Sequence, residues 1–199
     1  DQLKKVLKIQ LMTLIALAAI KERRHIDLFI WINVISIGFY GLKGGFFTIS
    51  TGGNARVWGP PGGFIEGNNE IAVALIMAIP LMNYLRLMAG NVWLKRGLVL
   101  LMLLSAAAAL GTQSRGALLA LGAMGFVMWM RSERKLIMGV IVALAGIGLI
   151  AFMPSGWEER MGTIAEYDQD ASAMGRINAW WLAFNIANAR LTGAGYEAY

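Results

Sequence analysis

Cysteine is absent from this chain, which removes disulfides and thiolate chemistry and leaves no clue to a redox compartment. Histidine occurs once, as His25, and charge is scarce, at 15% of 199 residues, where a soluble domain carries roughly 25%. There is no Walker loop, no Gly-x-Ser-x-Gly elbow and no His-Glu-x-x-His pair. These absences argue against an ATPase, a serine hydrolase and a zinc protease.

What the chain has in excess is apolar side chains, 57% of the total, arranged in blocks between short charged clusters. That is the pattern of a polytopic membrane protein. Six spans are expected, at Val6–Ile20, Leu28–Leu42, Ile71–Ala89, Leu98–Gln113, Gly116–Met130 and Leu136–Met153. Several fall short of the ~20 residues that a perpendicular span needs. Snorkelling flanks such as Lys8 and Trp31, and close packing at small residues, compensate.

The net charge of +6 matters through its distribution. Lys21, Arg23 and Arg24, then Arg86, Lys95 and Arg96, then Arg131, Arg134 and Lys135 crowd three short connections on one side. The other nine Lys and Arg spread over long segments and mix with most of the acids. The positive-inside rule makes the crowded side cytoplasmic, although Lys4, Lys5 and Lys8 fall on the other. Clusters that interrupt membrane spans read as topology signals, so no nucleic-acid partner is expected.

The outer face then carries a Gly-rich loop from Lys43 to Asn69, a turn around Gly111–Arg115, and a long segment from Pro154 to Tyr199. In that segment Met174, Ile177, Trp181 and Phe184 recur at helical spacing, flanked by Trp180 and Leu191. Asp170 or Ser172 suits the N-cap and Gly193 the C′ position, so an interfacial amphipathic helix is expected rather than a seventh span. The domain reading is therefore a transmembrane region over residues 1–153 and the start of a large periplasmic loop over 154–199. The chain opens at Asp1 and stops just after a Gly-x-Gly turn, the layout expected of a piece of a longer protein.

Chemistry on that face rests on arginine. Arg115 follows Ser114, a suitable N-cap, and a guanidinium beside a helix N-terminus makes a phosphate receptor. A snorkelling anchor is the plainer reading. Arg176 lies beside the apolar stripe, with a solvated helix charge as its plainer reading. Arg56, Arg115, Arg160 and Arg176 share the outer face by this topology, which suggests an anionic lipid head group, a diphosphate above all. Asp168 and Asp170 form an Asp-x-Asp pair of the kind that can hold Mg²⁺, but acids are favoured before a helix in any case, so no metal is expected. Glu66 and Glu70 are alternative acids with local hydrogen bonding as their plainer role. His25 falls on the cytoplasmic side, leaving no evident general base outside.

Four motifs together resemble the O-antigen ligase and polymerase superfamily. Thr112–Leu121 resembles its Ser-Arg-Gly signature. Gly175-Arg176-Ile177, then Trp180, then Leu191–Tyr196, resembles its Gly-Arg…Trp…Gly-x-Gly segment. Asn68-Asn69-Glu70-Ile71-Ala72 is similar to the start of the span after an outer loop. With Arg56-Val57-Trp58-Gly59-Pro60, the whole is most similar to the O-glycosylation ligases associated with exosortase systems.

The resemblance implies an all-α, GT-C-like enzyme of the bacterial inner membrane, with about six transmembrane helices, a periplasmic amphipathic helix and a periplasmic active face. It implies transfer of a glycan from undecaprenyl diphosphate to a hydroxyl on a lipid, protein or glycan, with no cofactor. Arg115 and Arg176 match the positions that bind the diphosphate, and Arg56, Ser114, Asn69, Arg160 and Trp180 are the expected substrate contacts. The family's histidine base has no match here. A polysaccharide polymerase of the same superfamily, a lipid or small-solute transporter and a noncatalytic scaffold are the competing readings.

Overall fold

The computed structural model describes residues 2–152, 171–190 and 193–194. Seven helices cover them: α1 (Gln2–Ala19), α2 (Arg23–Ser50), α3 (Asn68–Met88), α4 (Val92–Gly111), α5 (Arg115–Arg131), α6 (Lys135–Phe152) and α7 (Ala171–Ala189). No strand occurs among the described residues. The first six occupy the six expected spans, and α7 is the expected helix of the last segment. Three of them, α2, α3 and α4, are long and apolar enough to cross a membrane. The protein is an all-α membrane protein.

The chain divides into two compact units, residues 1–26 with 162–199, and residues 27–161. In the second unit α3 packs chiefly on α4 and also on α5, and α5 packs on α6. Its core forms two layers. One holds Ile71, Ala72, Leu75 and Ile76 of α3 with Ala108 and Ala109 of α4 and Ala117 of α5. The other holds Val34 of α2, Ala78, Met82 and Leu85 of α3, and Leu98 of α4. The outward residues remain apolar: Met77 is 67% exposed and Leu103 59%. A lipid environment suits that surface, because lipid tails are as apolar as these side chains.

Among the helix boundaries that differ from the sequence expectation, two have a clear physical reason. The loop expected to start at Lys43 starts eight residues later, because α2 runs on through Gly44 and Gly45 to Ser50. Gly38, Gly41, Gly44, Gly45 and Thr48 are buried along one side of α2. A methyl at Gly45 would lie 2.5 Å from the Leu104 carbonyl oxygen and 2.9 Å from its Cα, so the α2 and α4 backbones approach as only glycine permits. Thr48 donates back to the Gly44 carbonyl at 2.8 Å, which keeps its hydroxyl satisfied in the core. The helix ends where Gly52 and Gly53 take positive φ and the Gly53 N–H reaches the Thr48 carbonyl at 2.9 Å.

The second boundary is the start of α4, expected at Leu98 and found at Val92. Asn91 supplies the cause: its side chain accepts from the Trp93 N–H at 2.8 Å, a side-chain N-cap. Lys95 and Arg96 thus sit in the first turns of α4 rather than in a connection. His25, expected in a loop, lies in the first turn of α2, where its Nδ1 accepts from the Lys21 backbone at 3.4 Å.

Candidate functional site

Three segments of the second unit meet where α2 ends, α3 begins, and α4 turns into α5. The turn is built on Gln113, which holds φ +54° without being glycine. Left-handed backbone is disfavoured for a side chain by roughly 1–2 kcal/mol, so the turn must be held from outside. It is. The Gln113 amide donates to the Gly53 carbonyl at 3.1 Å, and the Asn68 amide donates to the Thr112 carbonyl at 3.1 Å. Val57 N–H donates to the Gly111 carbonyl at 2.9 Å.

Ser114 is at the centre of this junction and only 7% exposed. Its hydroxyl accepts from the Ala117 N–H at 3.2 Å, which makes it the N-cap of α5 as expected. The same hydroxyl donates to Asn69 Oδ1 at 2.5 Å. One side chain therefore starts α5 and ties it to the first turn of α3. Arg115 is the first residue of α5, half-buried. Its guanidinium is carried on a helix start that cannot shift without breaking the Ser114–Asn69 bond, and the positive end of the helix dipole favours an anion beside it.

Arg56 belongs to the same junction through its neighbour Val57. Its guanidinium lies 5.5 Å from the Trp58 ring centroid, a cation–π arrangement that holds the charge without neutralising it. Beyond it the loop closes on itself: Gly59 N–H donates to the Glu66 carbonyl at 2.8 Å, and Glu66 Oε2 accepts from Gly62 N–H at 2.8 Å. Glu66 thus has the local role that was its plainer reading. A side chain at Gly59 would collide with the Ile65 carbonyl.

In the other unit, Arg176 is exposed on α7. Trp180 and Trp181 are 71% and 62% exposed and line, with Ile177 and Phe184, an apolar cleft of about 390 Å³. Trp181 and Phe184 pack edge to face, their centroids 6.3 Å apart. Gly193 takes φ +73°, but α7 ends at Ala189, so this glycine lies four residues past the helix rather than at the expected C′ position, its N–H donating to the Arg190 carbonyl at 3.2 Å. Arg160, Asp168, Asp170, Leu191, Thr192, Gly195 and Tyr196 lie outside the described residues. No group of three His, Asp or Glu able to hold a metal ion occurs among the described residues.

Sequence reasoning named Arg56, Asn69, Ser114 and Arg115 separately, and the junction brings the segments bearing all four together. It missed Asn68 as a donor to Thr112 and Gln113 as the strut to Gly53. The trace available for Gln113 was its place between a helix end and an N-cap serine, a turn too short for ordinary backbone.

The family model for O-antigen ligases matches residues 100–199, half of the chain, from within α4 through the Ser114-Arg115 turn and α7 to the last residue. Comparison with curated proteins and with solved structures gave no match.

Proposed function

The chain belongs to the O-antigen ligase family, and on that premise we propose that it transfers a glycan from undecaprenyl diphosphate to an acceptor hydroxyl at a membrane face. The class is that of a membrane glycan-transferring enzyme. The donor, the face and the residues below are our reading.

The observation that carries it is Arg115 at the first position of α5, on a helix start locked by Ser114 and Asn69. The acceptor oxygen forms a bond to the anomeric carbon as the bond to the diphosphate oxygen breaks. The electron pair leaves with the diphosphate, and the acceptor proton is lost to a base. Charge therefore builds on the leaving group, and groups already fixed where it builds lower the barrier most. Arginine suits the task through planar bidentate contacts to phosphate oxygens. Arg115 and Arg176 are each assigned a contact to the diphosphate, and Arg56, Arg160, Asn69, Ser114 and Trp180 contacts to the rest of the donor.

Density of basic residues orients the protein. Arg86 closes α3, Lys95 and Arg96 open α4, Arg131 closes α5, and all lie at helix ends remote from the junction. By the positive-inside rule that end is cytoplasmic and the junction periplasmic. Residues 1–153 then form the membrane region, and 154–199 begin a periplasmic segment. A polymerase of the same superfamily would use the same donor chemistry and differ in its acceptor.

The test is glycan transfer by the full-length protein in proteoliposomes, with undecaprenyl-diphosphate-linked glycan as donor and either core lipid, protein or a second glycan as acceptor. Transfer should occur with one acceptor class and fall about a hundredfold in Arg115→Ala. Transfer at wild-type rate in Arg115→Ala would overturn the assignment.

A further inference from the structure

The end of the second unit remote from the Ser114–Asn69 junction has a groove of about 340 Å³ lined by Arg86, Lys95, Arg96, Val99, Leu100 and Leu103. Arg86 comes from the last turn of α3 and the rest from residues 95–103 of α4. Three cations thus crown an apolar wall formed by residues one helical turn apart. The wall is open to the surroundings: Val99, Leu100 and Leu103 are 37%, 56% and 59% exposed.

The cations are arranged rather than scattered. Arg86 Nε donates to Asn83 Oδ1 at 3.0 Å, leaving the outer N–H groups of the guanidinium to point elsewhere. The Arg96 guanidinium lies 5.5 Å from the Trp93 ring centroid, an aromatic that is itself 76% exposed, as interfacial tryptophans are. No described carboxylate pairs with any of the three. Asp27, an acid near this end, accepts from the Tyr84 hydroxyl at 2.7 Å.

We propose that this groove binds an anionic glycerophospholipid of the leaflet it faces. The phosphate sits among Arg86, Lys95 and Arg96, and one acyl chain lies along Val99, Leu100 and Leu103. A topology signal needs only the charges. It does not need two helices to gather them over a vertical apolar strip with an aromatic at head-group level. Charge complementarity selects the phosphate, and the strip selects a lipid over a free anion.

The experiment uses the purified full chain released from nanodiscs of equimolar phosphatidylglycerol and phosphatidylcholine with matched acyl chains, and native mass spectrometry counts the lipids retained. Phosphatidylglycerol should be enriched about tenfold over phosphatidylcholine. Equal retention overturns the proposal without any variant. The Lys95→Gln/Arg96→Gln double variant and, separately, Arg86→Gln locate the site: each should lower the enrichment severalfold, and undiminished enrichment in both would place the lipid elsewhere and overturn it. Inorganic phosphate should not displace the bound lipid. Displacement by phosphate alone would mean an anion site with no role for the apolar wall, and would also overturn it.

Discussion

The Ser114 hydroxyl donates to Asn69 Oδ1 at 2.5 Å while accepting from the Ala117 N–H at 3.2 Å. The start of α5 is thereby fixed to the start of α3 through one oxygen. Arg115 stands next in the chain, so whatever it binds is positioned by this bond.

Removing the hydroxyl should therefore cost more than a cap. Ser114→Ala loses about 1 kcal/mol for the N-cap and a further ~1 kcal/mol for the hydrogen bond to Asn69. Thermal unfolding in detergent should show the combined loss. A Ser114→Ala/Asn69→Ala double variant should be less destabilised than the sum of the singles, and strict additivity would deny the coupling.

Asn69 separates positioning from charge. Asn69→Asp keeps an acceptor for Ser114 and should melt closer to the parent protein than Asn69→Ala does. It also adds a negative charge beside the Arg115 helix start, so it should raise the KM for an anionic donor severalfold. If Asn69→Asp bound donor as well as the parent, no anion approaches that end of α5.

The turn at Gln113 offers a balance of two known quantities. Gln113→Gly relieves a left-handed backbone by about 1 kcal/mol and gives up a hydrogen bond to Gly53 worth about 1 kcal/mol. The melting temperature should move little. Gln113→Val loses the bond and puts a β-branched residue at positive φ, and should destabilise by about 2–3 kcal/mol.

Close packing of α2 on α4 has its own check. Gly45→Ala meets the Leu104 backbone at 2.5–2.9 Å and should destabilise by about 1–3 kcal/mol. Gly122→Ala, with nothing within 4 Å of the added methyl, should be neutral or stabilising. Equal melting of the two variants would mean that the helices can separate to admit the methyl.

How far the sequence carried this architecture varies with the range of the interactions. Helices were legible because their apolar blocks are local. The Ser114 cap was legible because caps are read within a few residues, whereas α7 ends at Ala189, short of the glycine expected to close it. The extent of α2 was not, since Gly44-Gly45 looks like a turn until α4 is packed on it; the three-residue spacing of Gly38, Gly41 and Gly44 was the available trace. The start of α4 was misjudged because Lys95 and Arg96 mark a membrane edge but do not end a helix, and Asn91 was overlooked as a cap. The bonds from Asn68 to Thr112 and from Gln113 to Gly53 join residues 44 and 60 positions apart, and no local pattern reveals them. Of the four candidate residues of the junction, Arg56, Ser114 and Arg115 were found by chemistry and Asn69 only through the family resemblance, and only the fold joined their segments.

The central claim is that Arg115 receives a diphosphate. Its most direct measurement is the affinity of the full-length protein in nanodiscs for undecaprenyl diphosphate, compared between the parent and Arg115→Ala at matched thermal stability. A charge-assisted contact of this kind implies binding weaker by about tenfold to a hundredfold in the variant, with Arg115→Lys in between. Equal affinity in the parent and Arg115→Ala would contradict the account.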